Sequence, residues 1–401
     1  MCIRDRCAGN PPAGPTAGGA EAGESTQSIG HQLLAREADV AASRVVGGEL
    51  GNWQAKVPEI AAEPDESHAG YAFVEIPVGE GGTRCYVYDD EIDIASSSSG
   101  IADKHLEISG APSDASPRQL AGLATGEIAG VGFVSLRWVF VIDGALFDSK
   151  VSAANKNGRG LACETLAAGY AATFDQIFRR WVGSFESETS ERPYLREVVR
   201  VRIGDQHVGV MESTLTRDAD GDTLALARTS MLLPQTPGTV LATDSVAGEW
   251  TRPDGTLLNA WALEQEAAGG ETMDLALQRD GDSWRVSGML QGKDLEARIE
   301  ADEIGSMLSS LLAFGNLLVP RGPERSLSTP SWVPSANPVG LIDVETTDVV
   351  VGGDGRSTAV QKAGPLEMAL ERGADGQVET VRMPVGAQEM IMERIHIEGG
   401  L

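Results

Sequence analysis

Apolar and polar positions alternate along most of the chain. From about residue 196 to 396 the alternating runs are separated by five Asp-Gly pairs: Asp220-Gly221, Asp254-Gly255, Asp280-Gly281, Asp354-Gly355 and Asp375-Gly376. Alternation with a period of two marks strands that bury one face. Asp-Gly between such runs marks tight hairpins, because glycine takes the positive φ of primed turns. The pattern predicts a long antiparallel meander, a curved sheet or half-barrel. One interruption is predicted. Ile304, Met307, Leu308, Leu311 and Leu312 fall at helical spacing within Asp302 to Phe314, and a proline-rich loop follows. Such a helix must bury its stripe, and the concave face of the sheet is the available surface.

The part before residue 186 reads differently. Strands are expected at Tyr71 to Val78, Arg84 to Tyr88 and Phe133 to Ile142, with further ones at Leu146 to Ala153 and Gly160 to Thr165. Asp143-Gly144 is an expected turn. Phe174, Ile177, Phe178, Trp181, Val182 and Phe185 then form an apolar stripe at the period of an α-helix. The expected fold class is α+β, mainly β. A disordered leader (1–51), with a short helix around Leu33 and Leu34, precedes a small α+β sheet domain (52–186). A linker (187–195) and an antiparallel β domain (196–398) follow.

Charge narrows the function. The 401 residues include 59 acidic and 32 basic ones, a formal net charge of -27. Such a surface repels phosphate backbones and anionic lipid headgroups, which argues against nucleic-acid binding. No run reaches the ~20 strongly apolar residues of a membrane span, so membrane contact is expected only through a lipid anchor. The four cysteines, Cys2, Cys7, Cys85 and Cys163, form no Cys-x-x-Cys pair. Cys85 and Cys163 sit in strand contexts of one domain, and a disulfide between them is the expected pairing in an exported protein. A free buried thiol and a nucleophilic Cys163 are the alternatives.

Some segments resemble known proteins. Met1-Cys-Ile-Arg-Asp-Arg6 resembles a translated sequencing adapter. Cys7-Ala-Gly-Asn-Pro-Pro-Ala-Gly-Pro is similar to the mature start of bacterial lipoproteins, which implies lipidation at Cys7, although Arg4-Asp5-Arg6 stands where the lipobox belongs. Arg202-Ile-Gly-Asp-Gln-His-Val-Gly-Val-Met-Glu-Ser-Thr-Leu215 resembles the opening of periplasmic β-domains that precede transglutaminase-like modules. The helix and proline loop over 302–338 and Met383-Pro-Val-Gly-Ala-Gln-Glu-Met-Ile-Met392 are similar too. The transglutaminase module itself is absent. Gly169-Tyr-Ala-Ala-Thr-Phe-Asp-Gln-Ile177 resembles the closing helix of small secreted photosystem-accessory domains. No resemblance supplies a catalytic residue.

Candidate chemistry is thin. The histidines His31, His68, His105, His207 and His396 are scattered, with no helical metal pair. Asp218-Ala-Asp-Gly-Asp222 starts like a calcium loop, but its glycine comes one residue early and position 12 is Thr229. Gly352-Gly-Asp-Gly-Arg-Ser-Thr358 lacks the lysine of a phosphate loop. Both read as hairpins. No catalytic residue, metal site or cofactor is expected. The sequence predicts a non-catalytic bacterial envelope protein, lipid-anchored in the periplasm or at the cell surface. Its partner would be an apolar small molecule or another envelope protein. One rival is a lipid carrier in which Leu308, Leu311 and Leu312 line a cavity under the helix. A hydrolase with an unrecognised site is the other.

Overall fold

The computed structural model describes residues 35–50, 52–79, 82–94, 118–142, 145–188, 193–236, 239–253, 256–266, 270–305, 326–350, 356–374 and 377–399. The chain divides into two compact units. The first comprises Met1–Gly122, Phe133–Glu191 and Thr236–Thr239. The second comprises Leu123–Gly132, Arg192–Gln235 and Val240–Leu401.

The first unit opens with a hairpin of β1 (Ser43–Gly48) and β2 (Trp53–Pro58). Residues 43–48 therefore correct the expectation of a leader disordered to residue 51. Val46 is buried but Val45 is exposed, so β1 has little pattern of its own. It is a strand because β2 offers it a ladder. Leu33 and Leu34 lie outside the described residues.

The main sheet of this unit is formed by β3 (Tyr71–Ile76), β4 (Thr83–Tyr88), β5 (Arg118–Ile128), β6 (Val131–Ile142), β7 (Ala145–Lys156) and β8 (Arg159–Thr165). Its order is β3-β4-β8-β7-β6-β5. The helix α1 (Ala171–Ser184) covers one face. Its stripe is the expected one, and Phe174, Ile177, Phe178, Trp181 and Val182 are buried. Trp53 meets Trp181 edge-on at 5.5 Å and stacks on Phe185 at 6.4 Å, so β2 packs on the helix. Phe178 meets Phe133 of β6 at 5.9 Å. Lys156 Nζ donates to the Val182 carbonyl at 2.7 Å, placing a cation where the helix dipole is negative.

In the second unit every strand from β9 to β22 joins one antiparallel sheet. They are β9 (Leu195–Ile203), β10 (Gln206–Arg217), β11 (Thr223–Thr236), β12 (Thr239–Thr251), β13 (Leu257–Glu266), β14 (Gly270–Asp280) and β15 (Ser283–Leu290). The rest are β16 (Lys293–Ile299), β17 (Ser326–Ser331), β18 (Ile342–Val350), β19 (Ser357–Ala363), β20 (Leu366–Arg372), β21 (Val378–Val385) and β22 (Gln388–Gly399). The sheet runs from β16 back to β9, crosses to β22, and continues back to β17. Gly221 at φ +87° and Gly281 at φ +64° turn two of the hairpins. The pairs at 254–255, 354–355 and 375–376 lie outside the described residues, as do Asp143 and Gly144.

The meander is a ring cut open between β16 and β17, and among the described residues no ladder joins those edges. The two ends nevertheless approach. Gly305, just past β16, forms a parallel bridge with Ser331, and its N–H donates to the Pro330 carbonyl at 2.8 Å. Trp332 packs with Leu275, Leu277, Trp284 and Val286 of β14 and β15, while its neighbour Val333 packs with β18 to β21. Consecutive residues thus join the cores of the two ends, and the sheet curls around one interior. The helix expected from Asp302 is corrected over its described start. Residues 302–305 are not helical, because Gly305 spends its backbone on the bridge to β17. Its remainder, with Leu308, Leu311 and Leu312, lies outside the described residues.

Replacing Trp181 by Ala should cost about 3–5 kcal/mol, the usual range for a buried aromatic. The unfolding midpoint in urea reads this, and an unchanged midpoint would contradict the packing of α1 on β2.

Candidate functional site

Cys85 and Cys163 form a disulfide, with Cα atoms 4.1 Å apart. The register of β4 with β8 sets them directly opposite each other. Both side chains are fully buried on the sheet face that α1 covers. Cys7 lies outside the described residues.

Opposite that face, the hairpin of β3 and β4 carries a cluster of rings. Tyr71 pairs with Tyr88 and Phe73 with Tyr86. His68 stacks on Tyr71 at 5.0 Å. The Tyr86 hydroxyl donates to Glu164, and burial together with that carboxylate pushes its ionisation well above the usual tyrosine range. The pairs are cross-strand neighbours of the kind that stabilise sheets.

The second unit has two chemically different faces. Opposed residues of an antiparallel pair share a face, so the register assigns each side chain. One row runs Met231, Gly209, Val201, Met392, Val381, Leu370 and Ala359 across β11, β10, β9, β22, β21, β20 and β19. This is the inner face. Met211, Met368, Met383 and Met390 belong to it by the same alternation. Ser230 and Asp244, which touch, carry the opposite face from β11 to β12. On β14 the inner face then holds Met273 with Leu275 and Leu277.

Eight methionines are described: residues 211, 231, 273, 289, 368, 383, 390 and 392. Seven lie on the inner face, and only Met289 points outward, beside Asp274. Met273 and Met368 are buried, whereas Met211, Met231, Met383, Met390 and Met392 are half-buried. Gly209 makes room for one of them, since a Cβ there would lie 2.5 Å from Met231 Sδ. Thioether side chains are flexible and polarizable, and they fit irregular apolar shapes. The inner face is not uniformly apolar. Glu197, Ser213, Gln361 and Arg372 are buried on it, and Gln361 donates to Thr346 at 3.1 Å.

The outer face of β9, β10 and β22 carries charged residues beside the buried Val198, Val210 and Ile391. Arg196 Nε lies 3.1 Å from Glu212 Oε1 and Arg196 Nη1 lies 3.7 Å from Glu398, with Arg196 6% and Glu212 1% exposed. Arg202 pairs with Glu393 at 3.0 Å. A bulge at residue 395 turns His396 to this face, where its Nδ1 lies 3.0 Å from Glu127 Oε2 of the segment Leu123–Gly132. Gly132 seats closely there, because a Cβ would meet Val198 Cγ2 at 2.7 Å and His396 Cδ2 at 3.0 Å. His207, beside a second bulge, bonds the Gly209 carbonyl at 2.9 Å. Burial, helped by Arg200 and Arg202, lowers its pKa.

Leu308, Leu311 and Leu312, expected from the sequence to meet an apolar ligand, lie outside the described residues, and the methionines carry no local signal of a shared face. Their alternation within β10, β21 and β22 was visible, but the pairing that sets them on one face joins strands far apart in sequence. The histidines are separate: His68 lies on the first unit, while His207 and His396 each help hold Leu123–Gly132. Among the described residues no group of His, Cys, Asp and Glu is placed to hold a metal ion, and no helix is long and apolar enough to cross a membrane.

No family model matches this sequence, and no curated protein does. Among solved structures, a β-barrel-like protein of a domain of unknown function from Brucella abortus is similar at a TM-score of 0.38 and 9% identity, covering 51% of this chain and 96% of that one. The solution structure of cyanobacterial PsbP from Synechocystis is similar at a TM-score of 0.27 and 9% identity, covering 37% of this chain and 94% of that one.

Arg196→Met should lower stability by up to about 3–5 kcal/mol, because it removes the guanidinium that lies 3.1 Å from the buried Glu212 carboxylate. Equilibrium urea unfolding measures the loss, and a variant as stable as the parent would show that the pair carries no such burden.

Proposed function

We propose that this chain is a bacterial cell-envelope protein with a binding rather than a catalytic role, and that its second unit takes up an apolar ligand on the inner face of the sheet. The observation that carries this reading is the concentration of methionines. Seven of the eight described share one face, and five of those seven are only half-buried. A folded core has no need to leave five thioethers accessible on one side, whereas an adaptable apolar binding surface does.

The two ends of the inner face differ. Leu275, Leu277, Trp284 and Val286 are fully buried against one another and Trp332, so the β13 to β16 end is filled. The accessible thioethers lie on β10, β11, β21 and β22, and the ligand is placed there. The packed end favours a second reading, a spacer in which the whole interior is filled. Export is supported by the Cys85–Cys163 disulfide, since such bonds persist outside the reducing cytoplasm. Lipid anchoring through Cys7 belongs to the same proposal and rests on the resemblance of the N-terminal segment.

Titration with a fluorescent long-chain fatty acid tests the reading. Saturable binding is expected, and Met392→Glu should weaken it at least about tenfold, since a carboxylate would be desolvated against the chain. Met289→Glu, on the outer face, should leave the affinity unchanged. Absence of saturable binding by the folded protein, or equal loss in both variants, would favour the spacer.

A further inference from the structure

We propose that Met368, Met383, Met390 and Met392 form a thioether site for a soft monovalent cation, Cu(I) or Ag(I), on the inner face of β20 to β22. The register brings them together. Met383 and Met390 are directly opposed, and Met392 follows Met390 by one inner-face position. Met368 lies one inner-face position before Leu370, which opposes Val381, so it falls beside Met383 on the neighbouring strand. Met383 and Met392 both pack against the buried cluster that contains Met368. Opposed residues in such a ladder have Cβ atoms about 5 Å apart and diagonal ones about 7–8 Å, within the reach of side chains as long as methionine.

The donor set selects the ion. A thioether is neutral and soft, with no charge to hold hard cations such as Mg²⁺ or Ca²⁺, which take oxygen ligands. Soft sulfur ligands favour Cu(I) and its like. Three or four thioethers converging from flexible stems satisfy such an ion without prior strain. The overall charge of -27 concentrates cations around the protein. Arg394 lies on the same face, two inner-face positions from Met390, but its guanidinium is drawn away to the Gln377 side chain and the Val378 carbonyl, both at 3.0 Å.

The site does not depend on an apolar ligand, and its test reads silver binding alone. Met383→Leu with Met390→Leu keeps the surface apolar and nearly the same volume, so the fold should survive, with an unchanged urea midpoint. It removes two sulfur donors. The experiment uses the full chain with Cys2→Ser and Cys7→Ser, so that no unlipidated N-terminal thiol can bind silver, and titrates it with silver nitrate in chloride-free buffer. Calorimetry gives the affinity, and ¹³C-methyl spectra of methionine report which thioethers respond. The expected result is saturable binding of one ion, with shifts at the methyls of these four residues and an affinity loss of at least about tenfold in the double leucine variant. No saturable binding, binding that leaves those methyls unmoved, or undiminished affinity in the leucine variant would each overturn the proposal.

Discussion

Alternation along a strand is unforgiving: a slip of one residue exchanges every inward side chain for an outward one. In the second unit this constraint converges on β9, which pairs with the next strand in sequence on one side and with the last strand of the chain on the other. The pairing of β9 with β22 joins residues about two hundred positions apart and turns two meanders into one sheet. It also decides which side chains face inward. Val199 and Val201 go in with Met392, while Arg196, Arg200 and Arg202 go out with Glu398 and Glu393. The apolar inner face and the charges of the outer face are both consequences of this register.

The register is secured by unequal means. On the outer side, Arg196 spans Glu212 on β10 and Glu398 on β22, so one guanidinium ties β9 to both neighbours. A slipped register would leave those buried charges apart, which costs far more than the pair contributes when formed. Two bulges adjust the fit. The one at residue 395 restores the outward aim of His396 and lets it meet Glu127. The one beside His207 precedes Gly209, whose missing side chain leaves space for the Met231 sulfur. Flexible sulfur side chains then cover an inner surface whose neighbours include Glu197 and Arg372, polar groups that a filled hydrocarbon core would exclude.

Local features were legible in the sequence, and distant ones were not. The stripe from Phe174 to Phe185 announced α1 because a helix is written in consecutive turns. Asp220-Gly221 and Asp280-Gly281 announced hairpins for the same reason. Cys85 and Cys163 were matched because they were the two cysteines in one domain's strands. β1, β2 and β5 escaped notice. β1 has one buried valine, and β5 is rich in alanine and glycine, so each is a strand by virtue of its neighbour. The methionine face was hidden because it depends on pairings between strands far apart and on two bulges. The segment Leu123–Gly132 belongs to the second unit, and its contact from Glu127 to His396 spans a sequence distance that no local pattern encodes.

The central proposal is that the second unit takes up an apolar ligand on its methionine-lined inner face. Photo-crosslinking with a diazirine-bearing fatty acid, followed by peptide mass spectrometry, tests this most directly. The account predicts adducts on β10, β11, β21 and β22, at and beside Met211, Met231, Met383, Met390 and Met392. Adducts confined to the outward side chains, such as Met289 and Trp261, would contradict it.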